Sequence, residues 1–527
     1  MMAASRSRQA ETGRTASVAQ DEGYEGPFVV GKDILELLSS SMYVNPLAIY
    51  REYVQNAADS IDEAVRAGKL ANVSDGRIDI ILDHVQRRAL IRDNGIGLSG
   101  DEFAQRMTSF GASQKRGTPA RGFRGVGRLA GLGYCQQLLF RSRSKKTESI
   151  LELRWDCKLL KDLLSASNFE GDLEELVRKI VSVRRVDNNN YPERFFEVEI
   201  VKPKRIASDR LLNEIEIETY LSQVGPCPFR RNFSFRGEIE EILNPIEATS
   251  LEYNIFLNEN DTPIFRPYSD KIPYSDVRIG RAREVREISI DGLDGKLAAI
   301  GWILHHDYQG AIPTNLGIKG LRARVGNLQV GGEKIFSNAF PEERFCSWTV
   351  GEVHLVDRRI LPNGRRDNFE SNSHLSNVVT HLTPYGSEIA HPCRSSSQIR
   401  NRKKTFELGE QKILQKIQVI EQGAISKSAA ATLRREIGTH LSEIRHAVNF
   451  SLIEDSDRTE LNARVSELDI LADKFSKRTS SNDPLQSLPE NKRAIYQEVF
   501  DLIYECSVNG IAAKSLVDRI LGRISKS

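Results

Sequence analysis

The chain has 527 residues, which is too long for one hydrophobic core and predicts several domains. Its 74 basic and 72 acidic residues leave a formal charge of +2, so the overall charge gives no reason to expect binding to nucleic acid or to a membrane. No apolar run approaches the roughly 18–20 residues that cross a bilayer. The six scattered cysteines contain no C-x-x-C pair, which argues against a disulfide framework or a zinc site and favours reduced thiols in a cytoplasmic protein.

The first elements in chain order are a tail, a helix and two strands. Residues 1–26 are rich in Ser, Arg and Ala and lack the apolar segment of a secretory signal, so they are predicted to form a disordered tail. Asn45 and Pro46 are typical of a helix start, and Gly68 stands where a glycine would end that helix. Alternating apolar residues then predict strands over Arg77–Asp83 and Arg88–Asp93.

The remainder of the chain divides into a loop, a mixed region and a helical region. The stretch Ala104–Gly133 is crowded with Gly, Ser, Arg and Lys and is predicted to be a mobile loop. Beyond residue 400, apolar residues at spacings of three and four predict amphipathic helices, in a helical hairpin or a coiled coil. Further strands are predicted over Tyr134–Arg143, Ser149–Trp155, Ala298–His305 and Leu321–Val330.

Three polar residues share one face of the predicted helix. Spacings of four and three bring Glu52, Asn56 and Asp59 together on that face. A carboxylate beside a carboxamide suits activation of water and coordination of magnesium. On this segment alone, a solvated polar stripe is the preferred alternative, and the first of the motifs that follow removes it.

Two glycine-containing motifs follow. Asp93-Asn94-Gly95-Ile96-Gly97 comes directly after a predicted strand, where glycines allow a sharp turn and a close approach to a flat ligand; taken alone, it could be a hairpin turn. Gly122-Phe123-Arg124-Gly125-Val126-Gly127 precedes a helix-like stretch, and a glycine loop at a helix start offers free N–H groups to phosphates. It is not a P-loop, because no Gly-Lys-Ser/Thr ending follows.

In this order, the motifs E-x-x-x-N-x-x-D, D-x-G-x-G and G-x-x-G-x-G resemble the nucleotide-binding fold of the gyrase, heat-shock chaperone, histidine kinase and MutL (GHKL) ATPase superfamily. The resemblance implies that Glu52 is the general base, that Asp93 binds the adenine amino group, and that Asn56 holds Mg²⁺ on the phosphates of ATP. Lys115 would lie in a lid, or be an exposed loop lysine. The implied nucleotide-binding residues are Asn56, Asp59, Asp93, Gly95, Gly97, Lys115, Gly122, Gly125, Val126 and Gly127.

Within the superfamily, the ninety-kilodalton heat-shock chaperone is the most similar branch. Its opening segment resembles residues 33–59, and its lid resembles Thr108–Lys115 with the glycine loop that follows. A second block, Gly317–Arg366, is similar to its middle domain, in which a loop arginine reaches the γ-phosphate. Arg365, or failing that Arg366, is the expected catalytic arginine, although a surface pair in a turn is the alternative.

The resemblance implies an α/β fold (an α+β sandwich). Residues 27–205 would form a Bergerat-type ATP-binding domain and residues 206–390 a middle α/β domain of the ribosomal-protein-S5-like type. Residues 400–480 would be amphipathic helices, and residues 490–527 a small helical unit. The sequence departs from the chaperone after the glycine loop and beyond residue 400.

The leading hypothesis is therefore a chaperone-like ATPase that acts on unidentified protein partners, with lid closure coupling the first two domains. The alternatives are a gyrase- or MutL-type module in a DNA transaction or defence system, and a scaffold that binds ATP but barely hydrolyses it. The basic stretches Arg141–Lys146 and Arg400–Lys404 are interpreted as solvated loops rather than as DNA sites. A homodimer through the C-terminal helices stays open, because such helices also pack within their own domain.

Overall fold

The computed structural model describes residues 45–108, 127–146, 149–165, 172–186, 190–206, 209–258, 260–477 and 484–525. It contains two mixed sheets followed by a helical region, so the predicted α/β class with a helical C-terminal end is confirmed. The tail predicted over 1–26 and most of the predicted loop lie outside the described residues. Residues 104–108 of that loop are helical, contrary to the prediction. They belong to the helix Gly100–Thr108, which is stabilised by burial of the Phe103 and Met107 side chains.

The helices are α1 (Ala48–Arg66), α2 (Gly100–Thr108), α3 (Cys157–Ser165), α4 (Leu173–Ile180), α5 (Glu214–Val224), α6 (Arg236–Leu243), α7 (Ser373–Gln422), α8 (Lys427–Val448), α9 (Asp455–Lys477), α10 (Glu490–Cys506) and α11 (Gly510–Ile524). The strands are β1 (Arg77–Asp83), β2 (Arg88–Asp93), β3 (Gln137–Arg143), β4 (Ile150–Asp156), β5 (Val181–Val186), β6 (Phe195–Val201), β7 (Asn254–Leu257), β8 (Lys271–Pro273), β9 (Ile279–Asp291), β10 (Leu297–His306), β11 (Gly320–Val325), β12 (Leu328–Val330) and β13 (Val350–Leu355).

The predicted signals mark both ends of α1. The side chain of Asn45 accepts a hydrogen bond of 3.1 Å from the Leu47 N–H, and a tight first turn leads into the helix. At the other end, Gly68 has φ +66°, and its N–H donates to the Val65 carbonyl while the Lys69 N–H donates to Ala64. This is the double hydrogen bond of a Schellman ending, which needs a left-handed residue at the glycine position.

The first sheet has the order β5-β4-β3-β6-β2-β1-β7. Its pairings are antiparallel except for that of β7, which runs parallel to β1. One core packs between this sheet and its helices, including α1 and α5, and extends to Ile264. The segment after residue 205 therefore contributes a strand and apolar residues to the first sheet.

Part of the first sheet is lined by a buried charge network. The Arg141 guanidinium donates to Glu152 (2.6 Å), Glu197 (2.8 Å) and Glu199 (2.7 Å), and all four side chains are buried. The interpretation of Arg141–Lys146 as a solvated loop is wrong at its first residues, because β3 carries Arg141 among carboxylates of the neighbouring strands β4 and β6.

The second sheet has the order β12-β11-β13-β10-β9-β8. The single strand predicted over Leu321–Val330 is wrong: it is a hairpin of β11 and β12 that turns at Gly326 and Asn327. Their φ values of +55° and +62° are those of a tight two-residue hairpin turn, which glycine and asparagine tolerate. The Gly326-Asn327 pair between two short alternating runs is a hairpin signal that the single-strand prediction overlooked.

The helical region is packed around its own core. The helix α7 has 50 residues; its first half packs against the second sheet and its second half against α8 and α9. The apolar stripes of these helices face one another and are buried within the chain. Members of this core include Phe406, Ile413, Ile417, Ile437, Leu441, Ile444, Val448, Leu461, Val465, Leu468 and Phe475.

The basic stretch Arg400–Lys404 belongs to α7 and is not a loop, contrary to the prediction. Arg400 lies over the Trp348 ring at 4.7 Å, and Lys403 forms an ion pair with Asp457. The two contacts link α7 to the segment that carries Trp348 and to the helix α9, which carries Asp457. Across the described ranges, no helix is both long enough and apolar enough to span a bilayer.

Candidate functional site

The polar face of α1 is turned towards the protein interior. Glu52 and Asp59 are buried and Asn56 is half-buried, while Val54 and Ala58 pack into the first core. This burial argues against the alternative of a solvated stripe, because burying carboxylates requires partners that offset the loss of water.

The Glu52 carboxylate has a different environment at each oxygen. Its Oε1 accepts from the Arg51 guanidinium at 3.1 Å and lies 3.4 Å from Nε of Arg366. Its Oε2 is directed at Gly127, where an added Cβ would stand 2.6 Å away. One oxygen is thus held by two cations, and the other faces the start of the segment that follows the glycine loop.

Arg366 reaches Glu52 from a tight turn in the second block. The turn is closed by a bridge between Pro362 and Phe369 and by a 3.1 Å bond from the Arg366 N–H to the Asn363 carbonyl. Arg366 has φ +56°, a strained conformation for a residue other than glycine, whereas the neighbouring Arg365 is exposed. Of the two expected arginines, Arg366 is the one that contacts Glu52.

Asp93 ends β2 at a buried position. Its Oδ1 accepts from the Ser60 hydroxyl at 2.8 Å and from the Gly95 N–H at 2.9 Å. Burial raises the pKa of Asp93 to about 7, against the effect of these two hydrogen bonds and of the nearby Arg194. The shift marks a carboxyl group that is shielded from water beside a turn.

The glycines of this turn make close approaches that a side chain would block. A Cβ at Gly95 would stand 2.2 Å from the Ser60 hydroxyl oxygen. Gly97 has φ +65°, and a Cβ there would stand 2.2 Å from the Arg143 carbonyl oxygen. The turn is therefore clamped between α1 and β3, as the motif predicts for a close backbone approach.

The two ends of the site are joined by α1. Ser60, which holds Asp93, follows Glu52 by eight residues, or about 12 Å along the helix axis. This spacing leaves Asp93 at one end and the Glu52–Arg366 pair at the other. An elongated ligand with a planar donor group at one end and negative charge at the other fits this arrangement.

Sequence reasoning missed three residues of the site. Ser60 continues the i, i+4 series of Glu52 and Asn56, a spacing that could have revealed it. Arg51 has no signal except its place beside Glu52. Tyr220 on α5 has its pKa raised by burial, and the charges of Arg51, Glu52 and Arg366 act on it.

Several expected residues cannot be placed. Lys115, Gly122, Gly125 and Val126 lie outside the described residues, and Gly127 is the first described residue after them. The described residues include no group of three or more His, Cys, Asp or Glu side chains that could hold a metal.

Comparison with known proteins concerns the same part of the chain. Residues 48–169 match the family model described as histidine kinase-, DNA gyrase B-, and HSP90-like ATPase. The chaperone protein HtpG of Mycolicibacterium gilvum is 37% identical over 92 residues, which cover 16% of this chain and 14% of that protein. HtpG of Streptomyces coelicolor is 39% identical over 80 residues (14% and 12%), and HtpG of Polaromonas naphthalenivorans is 27% identical over 162 residues (28% and 24%). The chain thus spans at most about a quarter of the length of these relatives.

Proposed function

We propose, from the match of residues 48–169 to the model of the histidine kinase-, DNA gyrase B-, and HSP90-like ATPase family, that the chain binds ATP with Mg²⁺ and hydrolyses it. The observation that carries the proposal is the placement of the buried Glu52 carboxylate. It lies between two arginines on one side and Gly127 on the other, about 12 Å along α1 from the Asp93 turn.

Adenine binds at the Asp93 end. The ionised Asp93 carboxylate accepts the amino group of the base, and its orientation is fixed by Ser60 and the Gly95 N–H. Gly97 lets the turn that carries Asp93 pack directly against β3, because any side chain there would strain the backbone and meet the Arg143 carbonyl. Asp59, Gly95 and the unplaced Lys115, Gly122, Gly125 and Val126 complete the proposed nucleotide-binding set.

Hydrolysis takes place at the Glu52 end. Glu52 is the general base that takes a proton from the attacking water, and Oε2, the oxygen directed at Gly127, is the one suited to that task. Arg366, rather than Arg365, is the arginine that stabilises charge on the transferring phosphoryl group, because it is the one beside Glu52. Magnesium, held by Asn56 and the phosphates, would neutralise part of that charge when bound.

ATP then acts as a link between the two sheets. Glu52 belongs to the first sheet's layer, and Arg366 belongs to a turn beside the second, where its carbonyl accepts from Gly331. A triphosphate that engages both residues favours one relative position of the two layers. Because similar stretches occur in proteins named as chaperones, we propose that this chain is an ATP-driven chaperone-like protein that acts on protein partners.

The test is ATP turnover by the full chain and by Glu52→Ala, with nucleotide affinity measured on both. Loss of at least about 10²-fold in kcat with unchanged ATP affinity is the expected result, because a general base contributes that much. Glu63→Ala, at the far end of the same helix, is the matched control and should keep full turnover. Equal turnover in wild type and Glu52→Ala would remove the proposed role of this carboxylate.

A further inference from the structure

A basic cavity lies at the end of the first sheet opposite to the Asp93 turn. It has a volume of about 560 Å³ and is bordered by the turn between β1 and β2, the two residues before β3, helix α3 and the segment after β6. The strand β2 begins beside it and ends at Asp93, so six residues, or about 17–20 Å, separate the cavity from the adenine end. The basic residues that line it are Arg87, Lys158, Lys161, Lys202, Lys204 and Arg205.

Among the described residues, few carboxylates compensate the charges of this cavity. Asp162 is the single acidic residue among those that line it. Arg87 is neutralised by Asp209 through two hydrogen bonds, so it contributes little net charge. In the part of the chain that the structure covers, no carboxylate lies within ion-pair distance of Lys158, Lys161, Lys202 or Lys204. This contrasts with Arg141 and Lys403 elsewhere in the chain, which have carboxylate partners.

Two of the ammonium groups are held close to each other. Burial and the neighbouring Lys161 ammonium lower the pKa of Lys204. Lys161 itself donates to the Cys135 carbonyl at the cavity wall. Keeping like charges together without a counterion costs free energy, and an anion between them would remove that cost.

The walls of the cavity are fixed by the backbone. Arg87 and Lys202 both adopt positive φ, +53° and +49°, and the Lys202 N–H donates to the Arg87 carbonyl at 2.8 Å. The Lys204 N–H donates to the Tyr134 carbonyl at 2.7 Å. Conformations that are strained for residues other than glycine persist only where the surroundings hold them, so the lysines are presented by a rigid frame.

We propose that this cavity is a second ligand site, distinct from the ATP site, for a small anion that carries two or more phosphate groups. The volume is within the range of small-molecule sites, about 300–1,000 Å³, which favours a compact ligand over an extended polymer. Lysine ammonium groups bind phosphate oxygens as point charges, and four of them match the charge of a polyphosphate. The proposal does not depend on ATP hydrolysis at Glu52.

The probe is inorganic tripolyphosphate, titrated calorimetrically into the full chain after saturation with ADP and Mg²⁺ so that the nucleotide site is blocked. We expect wild type to bind and Lys161→Ala/Lys204→Ala to bind at least about tenfold more weakly, because two charged donors to the phosphate oxygens are lost. The matched control is Lys296→Ala/Lys474→Ala, two exposed lysines elsewhere, which should bind like wild type. ATP turnover should be the same in all three proteins.

Melting temperatures provide a second measurement. Without ligand, the Lys161→Ala/Lys204→Ala variant should melt at the wild-type temperature or above it, because the repulsion is removed. With tripolyphosphate and saturating ADP, only wild type and the control should gain stability. Lys204→Ala alone is the substitute if the double variant does not fold. The proposal fails if ADP abolishes tripolyphosphate binding, if the cavity variant binds like wild type, if the control is weakened equally, or if single-stranded DNA binds the cavity while tripolyphosphate does not.

Discussion

Nε of Arg366 lies 3.4 Å from Oε1 of Glu52, which joins a turn beside the second sheet to a helix of the first. Arg51 contacts the same oxygen, so Glu52 is held by a local and a distant cation. Removing the local contact alters only the first layer, whereas removing the distant one also disconnects the two layers.

Replacing Arg366 should therefore separate catalysis from binding. We expect Arg366→Ala to lower kcat by about 10²-fold or more, given what such arginines contribute in phosphoryl transfer. The exposed neighbour Arg365 is the matched control, and Arg365→Ala should stay near the wild-type rate. The measurement is phosphate release at saturating ATP. Equal losses in both variants would contradict the assignment and point to the turn as a whole.

The raised pKa of Asp93 predicts a pH-dependent affinity. Below pH 7 the nucleotide-free protein holds a proton on Asp93, and the protonated carboxyl cannot accept the adenine amino group as well as the ionised form. ATP affinity should consequently fall by up to about tenfold for each pH unit below 7. Asp93→Asn should bind ATP weakly and lack this component of the pH dependence. Identical pH profiles for both proteins would exclude Asp93 as its source.

The same residue predicts a change in stability. Because the folded pKa of Asp93 is raised, the folded state holds the proton more tightly than the unfolded state between about pH 4 and pH 7, and stability falls as pH rises through that window. Asp93→Asn lacks this effect while its side-chain oxygen can still accept from Ser60 and Gly95. Its melting temperature relative to wild type should therefore be higher at pH 8 than at pH 5. If the difference in melting temperature between Asp93→Asn and wild type is the same at pH 5 and pH 8, the raised pKa of Asp93 does not contribute to stability in this way.

The buried network around Arg141 should be worth far more than an exposed pair. Arg141→Met leaves three buried carboxylates without their common partner, and we expect a loss of about 3–5 kcal/mol in the free energy of unfolding. The control is Arg178→Met, which removes an exposed pair with Glu174 on α4 and should cost at most about 0.5 kcal/mol. Chemical denaturation of both variants measures the difference.

This network also has a pH signature. Burial opposes ionisation of Glu152, yet hydrogen bonds from Arg184 and Arg141 keep its pKa below the ordinary value of 4.5. The stability it contributes is thus present at neutral pH and is lost as pH falls through the lowered pKa. The difference in the free energy of unfolding between wild type and Arg141→Met should become smaller in acid. A difference that grows in acid would contradict this explanation.

Two glycines with nearly equal backbone angles offer a test of close approach. Gly68 and Gly97 have φ +66° and +65°, but a Cβ at Gly68 meets nothing within 4 Å, whereas one at Gly97 meets the Arg143 carbonyl. Gly68→Ala should cost about 1–2 kcal/mol from the left-handed conformation alone. Gly97→Ala should cost clearly more and should also weaken ATP binding. If both variants lose the same thermal stability, the backbone near Arg143 can move away from the added Cβ at Gly97 without a measurable loss of stability.

Much of the first sheet could be predicted from sequence because its signals are local. The alternation in β1 and β2 and the signals at Asn45 and Gly68 depend on neighbouring residues only. The three motifs also act locally, each placing its residues on one element. The contact of Arg366 with Glu52 could not be found this way, because it depends on how two layers pack. No local feature of the sequence distinguishes Arg366 from its neighbour Arg365, so the sequence alone could not correct the preference for Arg365.

The errors have a common cause in tertiary packing. One basic stretch in β3 and another in α7 have the composition of solvated segments. The structure buries or pairs them because distant partners, such as Glu197 for Arg141 and Asp457 for Lys403, are brought to them by the fold. Local composition indicates which side chains need partners, but it does not indicate where those partners come from.

The parallel strand β7 has a consequence for synthesis of the chain. Until residue 257 has been made, β1 is the outer strand of an incomplete sheet and exposes unpaired backbone groups to other nascent chains. The 56 residues between the ends of β6 and β7 (257 − 201) take roughly 3–11 s at translation rates of about 5–20 residues per second. A fragment that ends at residue 205 lacks β7, so its β1 edge would stay unpaired and prone to association with other chains. A fragment of the first layer should therefore extend at least to Ile264, where its core ends.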